Sequence, residues 1–168
     1  QRVRVRPQIV GGGQQRGLRS GTMNPAGVVG IAAALRLCIE SIDDDGSRYQ
    51  QLRDRLWQRL SQAIEGLKVN GPSLQGEARL PGNLNLMLPG VEGQAWMSAT
   101  REILFSSGSA CSGHDAAPSH VLTALGLDQS EARRCVRFGV GRFNSEEEID
   151  RAGERLIESY EKLAALSH

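Results

Sequence analysis

The sequence predicts an α/β chain, more narrowly an α+β small domain in which helices pack on a small, mainly antiparallel sheet. Asn83-Leu84-Asn85-Leu86-Met87-Leu88 alternates polar and apolar side chains with the period of a strand. Apolar residues recur at helical spacing over 47–66 and again from Ile149 to Leu163. Short strand-like runs separate the helical ones, which favours helices layered against one sheet.

In chain order, residues 1–6 place Val3 and Val5 opposite three arginines, the pattern of an edge strand or the end of one. Residues 11–22 hold too much glycine for a helix or an interior strand. A helix is expected over 25–42, apolar nearly all round and therefore buried, ending at the acidic turn Asp43-Asp44-Asp45-Gly46. A second helix follows over 47–66, with Gly66 as its stop. Short strands are expected at 67–70, at 83–88 and at Ile103-Leu104-Phe105, with a helix over 92–101. Pro118 suits a first helical position, opening a helix that runs to Gly126. Cys135 to Val140 reads as a strand, and Ser145 with Glu148 makes a capping box for the last helix.

A net charge of +1 gives no field that would favour nucleic acid. No apolar run reaches the roughly 20 residues a bilayer span requires, so no membrane partner is expected. The start lacks both a secretory signal and a methionine, so the chain is expected to begin partway through a longer protein. Cys38, Cys111 and Cys135 are odd in number and lack metal-ligand spacing; free thiols in a reducing, cytoplasmic setting are expected.

Cys111 sits in the small, polar run Ser106-Ser107-Gly108-Ser109-Ala110-Cys111-Ser112-Gly113. Access is what a thiolate nucleophile needs, whereas Cys38 and Cys135 have the apolar neighbours of structural cysteines. His114 either helps deprotonate Cys111 or is a solvated surface histidine. Arg137, on a strand between Val136 and Phe138, needs an anion: a carboxylate held by its planar fork, or an acidic side chain in an ion pair. Arg142 carries the same two readings. The 11–22 segment with Thr22 either cradles a phosphate ahead of a helix or is a tight connector.

Taken together these segments resemble NifS/IscS-type cysteine desulfurases. Gly11-Gly12-Gly13-Gln14-Gln15-Arg16-Gly17-Leu18-Arg19-Ser20-Gly21-Thr22 is similar to that family's G-G-G-x-E/Q-R-G-x-R-S-G-T segment. Residues 106–112 resemble its active-site cysteine loop, and Pro118 to Leu127 its P-S-x-V-L-x-A-L-G-L. Arg137 to Phe143 and Glu146 to Asp150 resemble R-F-S-L-G-R-F-T-T-E-E-E-I-D. The resemblance implies the C-terminal part of a fold-type-I, class V aminotransferase-like enzyme, a homodimer that uses pyridoxal phosphate. It implies removal of sulfur from L-cysteine to give L-alanine and a persulfide on Cys111, for transfer to acceptor proteins in iron–sulfur cluster assembly or tRNA thiolation. Arg137 would bind the substrate carboxylate. Thr22 would contact the cofactor phosphate, across the dimer.

The family's Schiff-base lysine precedes the glycine-rich segment, and Lys68 and Lys162, the only lysines here, do not occupy its position. The expected organisation is a remnant of the cofactor-binding large domain at 1–24, a connecting helix at 25–46, and the small domain at 47–168. This chain alone is expected to be inactive and to form no lysine adduct with the cofactor. The alternative is a non-catalytic, split or degenerate desulfurase domain that binds a sulfur-acceptor or iron–sulfur scaffold protein.

Overall fold

A computed structural model describes residues 4–107 and 119–166. Cys111, His114 and Pro118 lie outside the described residues. The chain divides into two compact units, Gln1–Ile42 and Asp43–His168.

In the N-terminal unit, Arg4 to Arg6 form no strand; the extended pairing there is one parallel bridge, between Ile9 and Arg19. Two closely spaced apolar residues bury too little to hold a strand against a sheet. The glycine-rich segment is a loop around the 3₁₀ turn Gln15–Gly17, as its composition requires. The loop is tied by its own polar groups. Gly21 N–H donates to Gln14 Oε1 at 3.0 Å, and Ser20 N–H donates to Ile9 O at 3.0 Å.

Helix α1 (Pro25–Ala63) departs from expectation, because it runs unbroken through the acidic turn and replaces two helices by one of 39 residues. Three tertiary ties hold the stretch helical. Arg142 is ion-paired with Asp45, Arg48 Nη1 donates to Arg142 O at 2.8 Å, and Arg48 Nη2 donates to Asn144 O. Against these, an interior glycine costs only about 1 kcal/mol. The expectation of a buried helix over 25–42 is also corrected. Val29, Ile31, Leu35, Ile39 and Ile42 are all exposed, and so is Cys38. With only Arg36 and Glu40 charged between Pro25 and Ile42, α1 is long and apolar enough, by length and composition, to cross a membrane. The expectation that no apolar run reaches spanning length is corrected by this helix.

The C-terminal unit contains a sheet of four strands: β1 (Lys68–Val69), β2 (Asn83–Met87), β3 (Ser106–Ser107) and β4 (Cys135–Gly139). Their order is β1-β2-β4-β3 and every pairing is antiparallel. The two inner strands carry five residues each and the edges two, so little unpaired backbone is offered to another chain. Strand β3 begins three residues later than the expected run at Ile103. Phe105 is instead half-buried by ring packing, stacked on Phe138 at 4.7 Å and edge-on to Trp96 at 5.5 Å. Ladder pairing starts only at Ser106, opposite Arg137.

Alternation sorts the inner strands into two faces. Leu84, Leu86, Val136 and Phe138 point into the main core with Leu52, Leu56 and Leu60 of α1, Trp96 of α2 (Gly93–Ala99), and Ile149 and Leu156 of α5 (Glu146–Leu166). Trp96 is fully buried, and its Nε1–H donates to Leu156 O at 2.9 Å. The expected capping box opens α5: Glu148 N–H donates to Ser145 Oγ, and Ser145 N–H to Glu148 Oε2, both at 3.1 Å. The opposite sheet face carries Met87 and Cys135, covered by Leu122 of α3 (His120–Ala124) and Ala132 of α4 (Gln129–Arg133). Helix α4 was not foreseen. It opens on its own capping box, Asp128 with Glu131, which the sequence displays as D-x-x-E.

Candidate active site

The same face that carries Met87 and Cys135 continues, uncovered, into a cavity of about 520 Å³. Asn83 and Asn85 of β2, Arg137 of β4, Ser107 at the end of β3 and His120 at the start of α3 all line it. The remaining wall is the connection from β1 to β2, including Asn70, Pro72 and Arg79. That connection is stapled by arginines. Arg79 Nη2 donates to Asn70 O at 2.6 Å and Nε to Pro72 O at 2.9 Å, while Arg53 Nη2 donates to Leu74 O at 2.8 Å. Arg53 itself is 1% exposed and paired with Asp54 at 2.7 Å.

Arg137 is exposed, so the burial cost from which the sequence expected an anion does not arise. It stands at the cavity with its backbone paired on both sides, to Asn85 and to Ser106. No carboxylate lies within ion-pair distance of its guanidinium among the described residues. Among the described residues, no structural ion pair to it forms. Arg142 resolves the other way, as the structural partner of Asp45, whose hydrogen bond raises the arginine's pKa.

Cys135 is the buried structural cysteine the sequence suggested. Burial pushes its thiol pKa up, and Sγ donates to Glu131 O while accepting from Asn70 Nδ2, each at 3.2 Å. Cys111 lies outside the described residues, and no cysteine is among the described residues that line the cavity. Ser107 and Ser119, the described residues nearest to it in sequence on either side, both line the cavity.

Thr22 belongs to the N-terminal unit, exposed, with its backbone oxygen accepting from Arg19 Nη1 at 2.9 Å. Lys68, on edge strand β1, and Lys162, on α5, are both exposed and neither lines the cavity. The residues of this chain therefore do not make a pyridoxal phosphate Schiff-base site. Sequence reasoning missed Asn70, Arg79 and Asn85. Only Asn85 left a signal, the strand alternation that puts it on the face of Arg137.

A family model for aminotransferase class-V matches residues 3–152. The chain belongs to the aminotransferase class-V family. Among its curated relatives, the mitochondrial cysteine desulfurase of Arabidopsis thaliana is 41% identical over 99% of this chain and 36% of its own length. A cysteine desulfurase IscS from Anaeromyxobacter dehalogenans is 44% identical over 99% of this chain and 40% of its own. In structure the chain is similar to a NifS-like protein, with a TM-score of 0.77 at 30% identity, covering 96% of this chain and 40% of that one. A NifS-like protein from Rickettsia africae gives 0.75 at 27%, covering 97% and 41%. This class-V chain thus spans about two fifths of the length of the relatives it matches.

Proposed function

We propose that this chain is the C-terminal portion of a cysteine desulfurase, supplying the substrate-carboxylate anchor and the sulfur-accepting thiol. The observation that carries the reading is Arg137, held on an inner strand at a cavity, with no acidic partner among the described residues. An arginine so placed binds a carboxylate in two-point contact. The desulfurase relatives support a small amino acid, L-cysteine, as its source.

Cys111 attacks the sulfur of L-cysteine as a thiolate. The new S–S bond forms as the carbon–sulfur bond of the substrate breaks, and the carbon takes a proton. One thiol and one cysteine become one persulfide and one L-alanine, with no external oxidant. The persulfide passes to an acceptor or iron–sulfur scaffold protein.

Residues 1–24 belong with the large domain, 25–46 connect, and 47–168 form the small domain. The pyridoxal phosphate is held by residues outside this chain, with Thr22 reaching its phosphate in a homodimer. The exposed apolar side of α1 is covered by that larger protein, in a reducing, cytoplasmic setting.

The test uses the full-length protein carrying this chain. Alanine and sulfide are measured from L-cysteine for the parent, Cys111→Ser and Arg137→Ala. Cys111→Ser is expected to abolish turnover. Arg137→Ala is expected to raise KM by about 100-fold, the loss of a charge-assisted two-point contact. Turnover by Cys111→Ser, or an unchanged KM in Arg137→Ala, would sink the assignment. One observation favours a second reading, a non-catalytic domain that only relays sulfur: neither lysine lines the cavity. In that case Cys111 accepts persulfide from another enzyme and no alanine forms.

A further inference from the structure

A second polar group stands beside Arg137, and its orientation is fixed. Asn85 is the direct cross-strand partner of Arg137 in the β2–β4 ladder, and both side chains line the same cavity. In an antiparallel pair such neighbours sit on one face, about 4.5–5.5 Å apart at Cβ. Which end of the Asn85 amide faces the cavity is settled by Asn70. Asn70, nearly buried, donates from Nδ2 to Asn85 Oδ1 at 2.7 Å and to Cys135 Sγ at 3.2 Å. Both hydrogens of the Asn70 amide are then committed. Cys135 spends its own hydrogen on Glu131 O, so its sulfur is an acceptor here. Turning Asn85 over would set its NH₂ group against that of Asn70. The oxygen of Asn85 is therefore held toward Asn70, and its two N–H donors are left on the other branch of the planar amide. They have no acceptor among the described residues.

We infer that Asn85 is a second carboxylate contact, donating an amide N–H to the substrate carboxylate that Arg137 holds, with Asn70 as its positioning residue. This rests on Arg137 being the carboxylate anchor. Arg137 supplies charge and two in-plane donors, while Asn85 adds a neutral donor whose direction is preset. A neutral donor cannot neutralise Arg137, as an acidic neighbour would. Asn83 lines the same cavity but faces Gly139 across the ladder and has no such brace.

The experiment measures KM and kcat for L-cysteine, and the inhibition constant of cysteamine, which keeps the amine and thiol but lacks the carboxylate. The full-length protein is used, with Asn85→Ala, Asn70→Ala and Arg137→Ala. Asn85→Ala is expected to raise KM for L-cysteine about 10-fold, the loss of one hydrogen bond to a charged group. Its kcat and its cysteamine constant should stay within about two-fold of the parent, since neither depends on the carboxylate contact. Asn70→Ala frees the Asn85 amide to rotate and should raise KM about three-fold, again sparing cysteamine. It also serves if Asn85→Ala does not fold. An unchanged KM in the folded variants, or an equal loss of L-cysteine and cysteamine binding, overturns the inference. If Arg137→Ala leaves KM unchanged, the anchor reading fails and this one with it. If Arg137→Ala raises KM while the asparagine variants do not, only this inference falls.

Discussion

Arg53 shows how a single side chain can shape the cavity without touching it. Buried at the start of the core-facing half of α1, it pairs with Asp54 and holds the Leu74 carbonyl. Arg53→Met keeps the stem's packing but leaves that carbonyl and the carboxylate without their donor. A loss of about 2–3 kcal/mol is expected in denaturant unfolding, since Asp54 keeps some contact with water. Asp150 belongs to an exposed cluster instead. Its carboxyl titrates at about 2, against an ordinary 3.8, chiefly because Arg55 hydrogen-bonds it and secondarily because Arg59 does. A depressed folded pKa stabilises above the unfolded value, and that contribution disappears as pH falls through about 2. Asp150→Asn should therefore flatten the acid limb of the unfolding midpoint between about pH 4 and 2 and leave its shape above pH 5 unchanged. At this scale the sequence was partly legible. The isolated strand arginine at 137 pointed to an anion. Asn85 and Arg79 did not stand out, because their roles come from a fold that brings Asn70 and Pro72 to them.

Among the elements, those written in local chemistry were readable. Strand β2 follows from its alternation, and α5 from its capping box and stripe. Where long-range contacts override a local signal, the reading failed. Asp43-Asp44-Asp45-Gly46 has turn composition, yet Arg142 and Arg48 hold it within α1. A direct test follows, because a Cβ at Gly46 would meet nothing closer than Pro81 Cγ at 3.9 Å. Gly46→Ala should stabilise the chain by about 0.5–1 kcal/mol if the helix is continuous. Destabilisation, read from the thermal midpoint, would mean a turn at that position. Ser145→Ala should cost about 1 kcal/mol through loss of the α5 cap.

For the molecule as a whole, the feature that stands out is the apolar stretch from Val28 to Ile42, whose large side chains are exposed. Its residues read as buried because their composition is that of a core helix. They are exposed in this structure, and the chain spans about two fifths of the length of its relatives. Expressed by itself, the 168-residue chain should self-associate or take up detergent. Ile31→Lys with Ile39→Lys should return it to a monomer in sedimentation, whereas the full-length protein should tolerate neither change. The sheet has a consequence of a different kind. Arg137 has a ladder partner on each side, and β2 and β4 are sealed at one end where Val140 N–H meets Gly82 O at 2.8 Å. A Cβ at residue 82 would lie 2.2 Å from Val140 O, the carbonyl of the residue that donates this bond, so the seal admits glycine alone. Amide hydrogens on Leu84, Leu86, Val136 and Phe138 should thus be the last in the protein to exchange with deuterium. Arg137 thus stands between the most slowly exchanging residues of the sheet, on its most persistent strands. Any rearrangement of the cavity wall therefore falls to the β1–β2 connection and α3, and the ladder itself stays fixed.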